Sequence, residues 1–241
     1  APCIAKSWSV DETGLEWTFR LRTDVWFHRD TCFGPQGTRR VIAQDVKYSF
    51  ERILDARTKS TGLWAFRTTI EGADEFHQAT RNGGRPTFQG IRVVNDSVVV
   101  FRLTKPFAPF LAVLTMPYGS IIPREAIELY GADYGRHPVG TGPFMFGTWI
   151  PDRELTLRRN PRYFRFDAQG HRLPYLTAVR ITFLRDPKSE FFEFTNGEFD
   201  VISSVDESFV PSVFEPDGRL KAPYSRFSVL RTAANTVEYY G

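Results

Sequence analysis

No stretch of this 241-residue sequence approaches the ~18–20 consecutive apolar residues that a membrane-spanning helix needs. The amino terminus also lacks the basic, apolar, small-residue pattern of a signal peptide. Lysine and arginine form no run: 31 basic side chains face 28 acidic ones for a net charge of +3, which leaves no footprint for nucleic acid or lipid. Histidine is sparse, and His28, His77, His137 and His171 show neither His-x-x-x-His nor His-Glu-x-x-His spacing, so no zinc or metalloprotease motif is present. Cys3 and Cys32 are the only cysteines. They could form one disulfide in an oxidising compartment, but two unrelated thiols is the simpler reading, and their spacing carries no metal or redox motif. Internal repeats are missing, and the 18 glycines and 16 prolines are scattered as turn punctuation with no low-complexity linker among them.

What is there fits an ordinary globular chain with one large domain or two small ones, 41% hydrophobic and 24% charged. Aromatics are enriched at 15%, with 22 Phe, and nearly all fall in alternating or periodic apolar patterns, which points to packing. Ser7–Val10 and Trp17–Arg22 alternate at period two around a turn at 11–14 and predict a half-buried hairpin; Ile91–Val94 and Val98–Leu103 predict a second one. Between them, Val46, Phe50, Ile53 and Leu54 recur on one face of a helix over 43–54, with Asp45 in its first turn. A looser stretch, 57–87, holds Trp64 and Phe66 and a short helix near 73–79. Pro123 is expected to open a helix to about Tyr130. Gly131–Pro143, rich in Gly and Pro, is the best candidate boundary. Strands follow at 144–149, 154–158 and 178–184, then a helix at 189–196 ended by Gly197, with strands at 200–203 and 227–230 completing a mixed sheet.

A search for chemistry yields little. Gly140-Thr141-Gly142 superficially suggests a phosphate loop, but Pro143-Phe144 cannot open the helix that a Walker or dinucleotide loop requires. Glu190, Glu193 and Glu198 read as a solvated helix face. No nucleophile with a base, carboxylate pair or metal cluster stands out, so no catalytic residue, metal or cofactor is expected.

Ala5-Lys6-Ser7-Trp8, Trp17-Thr18-Phe19-Arg20-Leu21-Arg22, Val25-Trp26-Phe27-His28 and Ala43-Gln44-Asp45-Val46-Lys47-Tyr48-Ser49-Phe50-Glu51-Arg52 occur in that order. Lys105-Pro106, Pro138-Val139-Gly140-Thr141-Gly142-Pro143-Phe144, Asn160-Pro161-Arg162-Tyr163 and Asn196-Gly197-Glu198-Phe199-Asp200 follow. This succession resembles the family 5 extracellular solute-binding proteins, the binding components of oligopeptide, dipeptide and nickel ABC transporters. Two departures touch the scaffold: a longer loop containing Cys32 follows Arg29-Asp30, and Ile42 stands where the family has Thr. Ile cannot supply an N-cap oxygen, so the helix start is expected to be about 1 kcal/mol weaker unless another group caps it.

The resemblance implies an α/β (mixed α+β) fragment of a two-lobed periplasmic-binding-protein-like fold. Residues 1–135 would be the family's extra subdomain of lobe one, residues 136–241 part of the hinge-bearing subdomain, and the second lobe would lie outside the chain. It further implies capture of a peptide or other small solute between the lobes for delivery to ABC-transporter permease subunits, at the periplasmic or extracellular face. Membrane association would come only through the transporter or an N-terminal lipid anchor outside these residues. Trp64, Phe66, Tyr118 and Ser120 are the expected ligand contacts, with core packing the competing reading for the aromatics and a turn role for Ser120. Gly140, Thr141 and Gly142 are expected to shape the junction, because glycine permits positive φ and close backbone approach. An enzyme of unknown class and a sensing lobe without transport are the alternatives.

Overall fold

In the strand β2 (Glu16–Leu21), Trp17, Phe19 and Leu21 are buried at period two and so face one core. It pairs antiparallel with β1 (Ala5–Val10), an exposed edge, across a turn in which the Asp11 carboxylate accepts the amides of Leu15 and Glu16, both at 3.0 Å. On its other side β2 pairs antiparallel with the later strand β4 (Val98–Arg102), which returns beside β3 (Ile91–Asn95), giving the order β1-β2-β4-β3. These strands belong to a computed structural model that describes residues 3–230.

Helix α1 (Ala43–Leu54) covers this sheet with Val46, Phe50 and Leu54. The Phe50 ring meets Phe101 of β4 edge-on at 5.0 Å. Ile42 makes no side-chain cap, but Asp45 reaches back and accepts the Ile42 amide at 2.9 Å, so half of a capping box offsets the expected weakness. The same carboxylate takes two hydrogen bonds from Arg39, at 2.7 and 2.8 Å, and the other edge of that guanidinium grips Glu125 at 2.6 and 2.7 Å. Burial opposes the Arg39 charge, yet Asp45 and Glu125 more than offset it and hold its pKa above the ordinary value.

Shorter helices complete this part: α2 (Leu63–Phe66), α3 (Ala73–Arg81), α4 (Phe110–Leu114) and α5 (Arg124–Tyr130), with Pro123 at the cap of α5. After Gly131–Pro143, which no strand crosses, a second sheet forms from β5 (Phe144–Ile150), β6 (Glu154–Arg159) and β7 (Ala178–Thr182), in that order. A register shift between Phe146 and Thr148 falls on Gly147, where a Cβ would lie 2.6 Å from the Thr156 carbonyl oxygen; only glycine lets the strands close there.

The chain parts into two compact units between Ile181 and Thr182, later than Gly131–Pro143. In the second unit, α6 (Pro187–Asn196) starts on Asp186, whose carboxylate accepts the amides of Lys188 and Ser189, and ends at Gly197 with φ 89°. Phe191 is buried there, stacked on Phe209 at 4.6 Å, and α7 (Val210–Val213) follows. The strands expected at 200–203 and 227–230 do not form. A strand exists only as half of a pair, and these segments find no ladder among the described residues; Val201 is 81% exposed. Among the described residues no helix is long and apolar enough to cross a membrane.

Candidate functional site

Three of the four expected ligand contacts gather on one patch of the first unit. Trp64, in α2, exposes 65% of its surface, and its ring stands edge-on to Tyr118 at 6.4 Å. Tyr118 lies in the 3-10 turn Pro117–Gly119, with Ser120 exposed just beyond it. Gly62 makes the pairing possible: a Cβ there would meet Tyr118 Cδ1 and Cγ at 2.6 Å, so the phenol rests directly on bare backbone. An indole so exposed, beside a second ring, is a platform for an apolar or planar group.

Phe66 does not join this patch. Its surface is fully buried, and its ring packs edge-on to Phe50 at 4.9 Å, so it is a core residue. The cause is helix geometry: the 63–66 segment, read from sequence as loop-like, is a helical turn, where residues two apart point about 160° away from each other. With Trp64 outward, Phe66 must go inward.

The junction segment is held by a residue that the sequence reading set aside. His28 is buried. Its backbone amide donates to the Gly140 carbonyl at 2.7 Å, its ring Nε2 lies 3.0 Å from the Gly142 carbonyl, and the Gly140 amide approaches its Nδ1 at 3.4 Å. Because a carbonyl only accepts, Nε2 carries the proton and Nδ1 is the acceptor, which is the neutral imidazole. Burial pushes the His28 pKa down, against the Gly142 hydrogen bond that raises it. Asn160, also buried, donates its side-chain amide to the same Gly142 carbonyl at 2.9 Å, and its backbone amide to the Pro143 carbonyl at 2.8 Å. The expected reason for the glycines fails: neither Gly140 nor Gly142 has positive φ, and a Cβ on Gly142 would meet only the Phe144 carbonyl, at 4.0 Å. What the segment presents to its surroundings is backbone polar groups. Phe27-His28 and Pro138–Phe144, distant in sequence, dock on each other through main-chain atoms that neither motif advertises.

Cys3 and Cys32 are both free thiols. Burial, then the neighbouring Asp30, pushes the Cys32 thiol up to about 12, which keeps it protonated and unreactive at neutral pH. Among the described residues no group of three or more His, Cys, Asp or Glu side chains could hold a metal. Two concavities, one of about 370 Å³ lined by residues such as Tyr48, Phe76, Arg85 and Arg124 and one of about 390 Å³ at Glu215–Ala222, are lined by neither Trp64 nor Tyr118. With 65% of its surface exposed, the Trp64 indole presents an open face.

The profile of the bacterial extracellular solute-binding proteins, family 5 Middle, matches residues 1–239. Di/tripeptide-binding protein 2 of Pseudomonas aeruginosa is 36% identical over 169 residues, which are 68% of this chain and 30% of that protein. An oligopeptide-binding protein of Borrelia burgdorferi superposes with a TM-score of 0.75 at 21% identity, covering 87% of this chain and 39% of its own, and so shares the fold. The ABC transporter-associated periplasmic binding protein DppA of Helicobacter pylori, in complex with the peptide STSA, superposes with a TM-score of 0.70 at 26% identity, covering 88% and 39%. The chain thus spans about a third of the length of the relatives it matches, and over nearly all of its own length it belongs to the bacterial extracellular solute-binding proteins of family 5.

Proposed function

We propose that these residues form part of the substrate-binding component of a bacterial ABC importer that captures peptides outside the cytoplasm and hands them to the permease. The observation that carries this reading is the match of the family profile to residues 1–239, joined to a relative named for di- and tripeptide binding. In this reading residues 1–135 and 136–241 are two subdomains of the first lobe, meeting at the segment that His28 and Asn160 hold. The ligand sits between lobes, and closure is a hinge motion driven by the extra contacts a ligand makes in the closed state. The second lobe lies outside residues 1–241. In this reading the component binds and releases its ligand without chemistry, on a site that includes the Trp64–Tyr118 pair.

Trp64 and Tyr118 supply the first lobe's side of the cleft, the indole lying against a peptide side chain or the flat of a peptide bond. Trp64→Ala in the complete polypeptide is expected to weaken di- and tripeptide binding about tenfold or more, as loss of a buried aromatic contact does. Its unfolding free energy should change by less than about 0.5 kcal/mol, because the free indole is mostly solvated. Isothermal titration beside thermal denaturation reads both. Unchanged peptide affinity would remove Trp64 from the site.

A further inference from the structure

One residue makes three hydrogen bonds to the Gly140–Gly142 segment, and two of them depend on the protonation state of its ring. The neutral Nε2–H tautomer satisfies both ring contacts: Nε2 donates to the Gly142 carbonyl and Nδ1 accepts the Gly140 amide. Protonating Nδ1 sets N–H against N–H and places a charge on a buried ring. Among the described residues no carboxylate bonds the ring to neutralise that charge. Arg29 and Asp30 follow on its own segment, Asp30 accepting from the Tyr130 hydroxyl and the Cys32 amide. From the junction come Arg136 and His137, the latter stacked on Tyr130 at 4.3 Å, and Tyr134, whose hydroxyl donates to the Val139 carbonyl. From the loop after β6 comes Arg162, stacked on Trp26 at 4.7 Å. None of these side chains hydrogen-bonds the imidazole, whose partners are the Gly140 amide and the Gly142 carbonyl.

We propose that His28 is a proton-sensitive latch, holding Gly140–Gly142 against the core of the first unit while its ring is neutral and loosening that segment when the ring is protonated. Two neighbours make the device local. Val25 and Phe27 are fixed in the core on one side of His28, and Val139 is buried beside Gly140, so the latch joins an anchored segment to the start of the junction. Asn160 keeps its own hydrogen bond to Gly142 at either pH, so protonation frees the Gly140 end first.

The direction in pH follows from the lowered pKa of the folded state. Above the ordinary value of 6.5 neither folded nor unfolded His28 is charged, and the latch contributes in full. As pH falls below that value the unfolded state takes up a proton before the folded state does, so the contribution is lost progressively on acidification. An extracytoplasmic protein meets the pH of its surroundings directly, so the junction would loosen in acid.

Amide exchange of Gly140 and its neighbours, measured by NMR at pH 7.5 and 5.0 and corrected for intrinsic exchange, tests this with His28→Gln as the reference. Gln keeps one donor and one acceptor but does not titrate. Wild-type protection at Gly140 is expected to fall about tenfold or more on acidification, while the variant changes little. The same pH dependence in both proteins would overturn the latch. Should the variant fail to fold, the ring nitrogen shifts of the wild type decide: an Nε2–H tautomer titrating below 6.5 supports the latch, and an Nδ1–H tautomer or titration at or above 6.5 overturns it. Both readouts are taken without ligand, so they stand or fall separately from peptide binding.

Discussion

Arg39→Met is expected to destabilise the first unit by about 2–4 kcal/mol, near the cost of unpairing a buried charge, because Asp45 is buried while Arg39 and Glu125 keep part of their exposure. Asp45 has a side chain only 5% exposed and receives two hydrogen bonds from Arg39. Without the guanidinium its remaining donor is the Ile42 amide, so a carboxylate is left nearly unpaired at the start of α1. The same guanidinium lies over the Phe27 and Phe33 rings at 5.1 and 5.6 Å, and methionine restores some of that cover but none of the charge. Adding Asp45→Asn should recover part of the loss, because the uncompensated charge then disappears. At Glu125, Arg39 holds the carboxyl pKa below the usual range. Its contribution is present above the unfolded pKa and lost as pH falls through the folded one. Urea denaturation at neutral pH reads the main effect, and a loss under about 1 kcal/mol would show that solvent, not Arg39, satisfies Asp45.

Phe110→Ala should cost a similar amount, about 3–5 kcal/mol, through the cavity it leaves. Phe110 is fully buried where α4 meets the sheet, and its ring lies 5.5 Å from Trp17, 5.7 Å from Phe101 and 6.5 Å from Phe19. Three rings lose an edge-to-face partner at once, and β2 and β4 are too firmly paired to collapse into the space. Phe192→Ala, at a ring 55% exposed, is the control and should cost far less. Equal effects from the two variants would mean that the aromatic cluster is not the core that organises this unit.

Both hairpins and α1 were legible because each carries its own period: Trp17, Phe19 and Leu21 alternate, and Val46, Phe50 and Leu54 share a helix face. Gly197 was legible as a stop because a helix C-terminus needs a left-handed residue, and its φ of 89° is one that glycine adopts freely. Strands at 200–203 and 227–230 were not legible, because apolar alternation records a wish to pair and says nothing about whether a partner is present. Trp64 and Phe66 looked equivalent as neighbouring aromatics; only recognising a turn of helix at 63–66 sends one outward and the other into the core. His28 was invisible as a junction residue, since its partners at 140 and 142 are main-chain atoms whose identity no side chain advertises. For the same reason Gly140 and Gly142 invited an argument from φ that their backbone does not support.

Titration of the complete polypeptide, and of residues 1–241 alone, against a mixed library of di- and tripeptides tests the central claim most directly. One lobe covers one side of a cleft ligand, whereas bound small molecules are typically buried over about 70–90% of their surface. Stoichiometric binding of intact peptide by the complete polypeptide is expected, with affinity at least about a hundredfold weaker for residues 1–241, where the Trp64 indole stands largely exposed. Cleavage of the peptides, or no binding by the complete polypeptide, would contradict the claim.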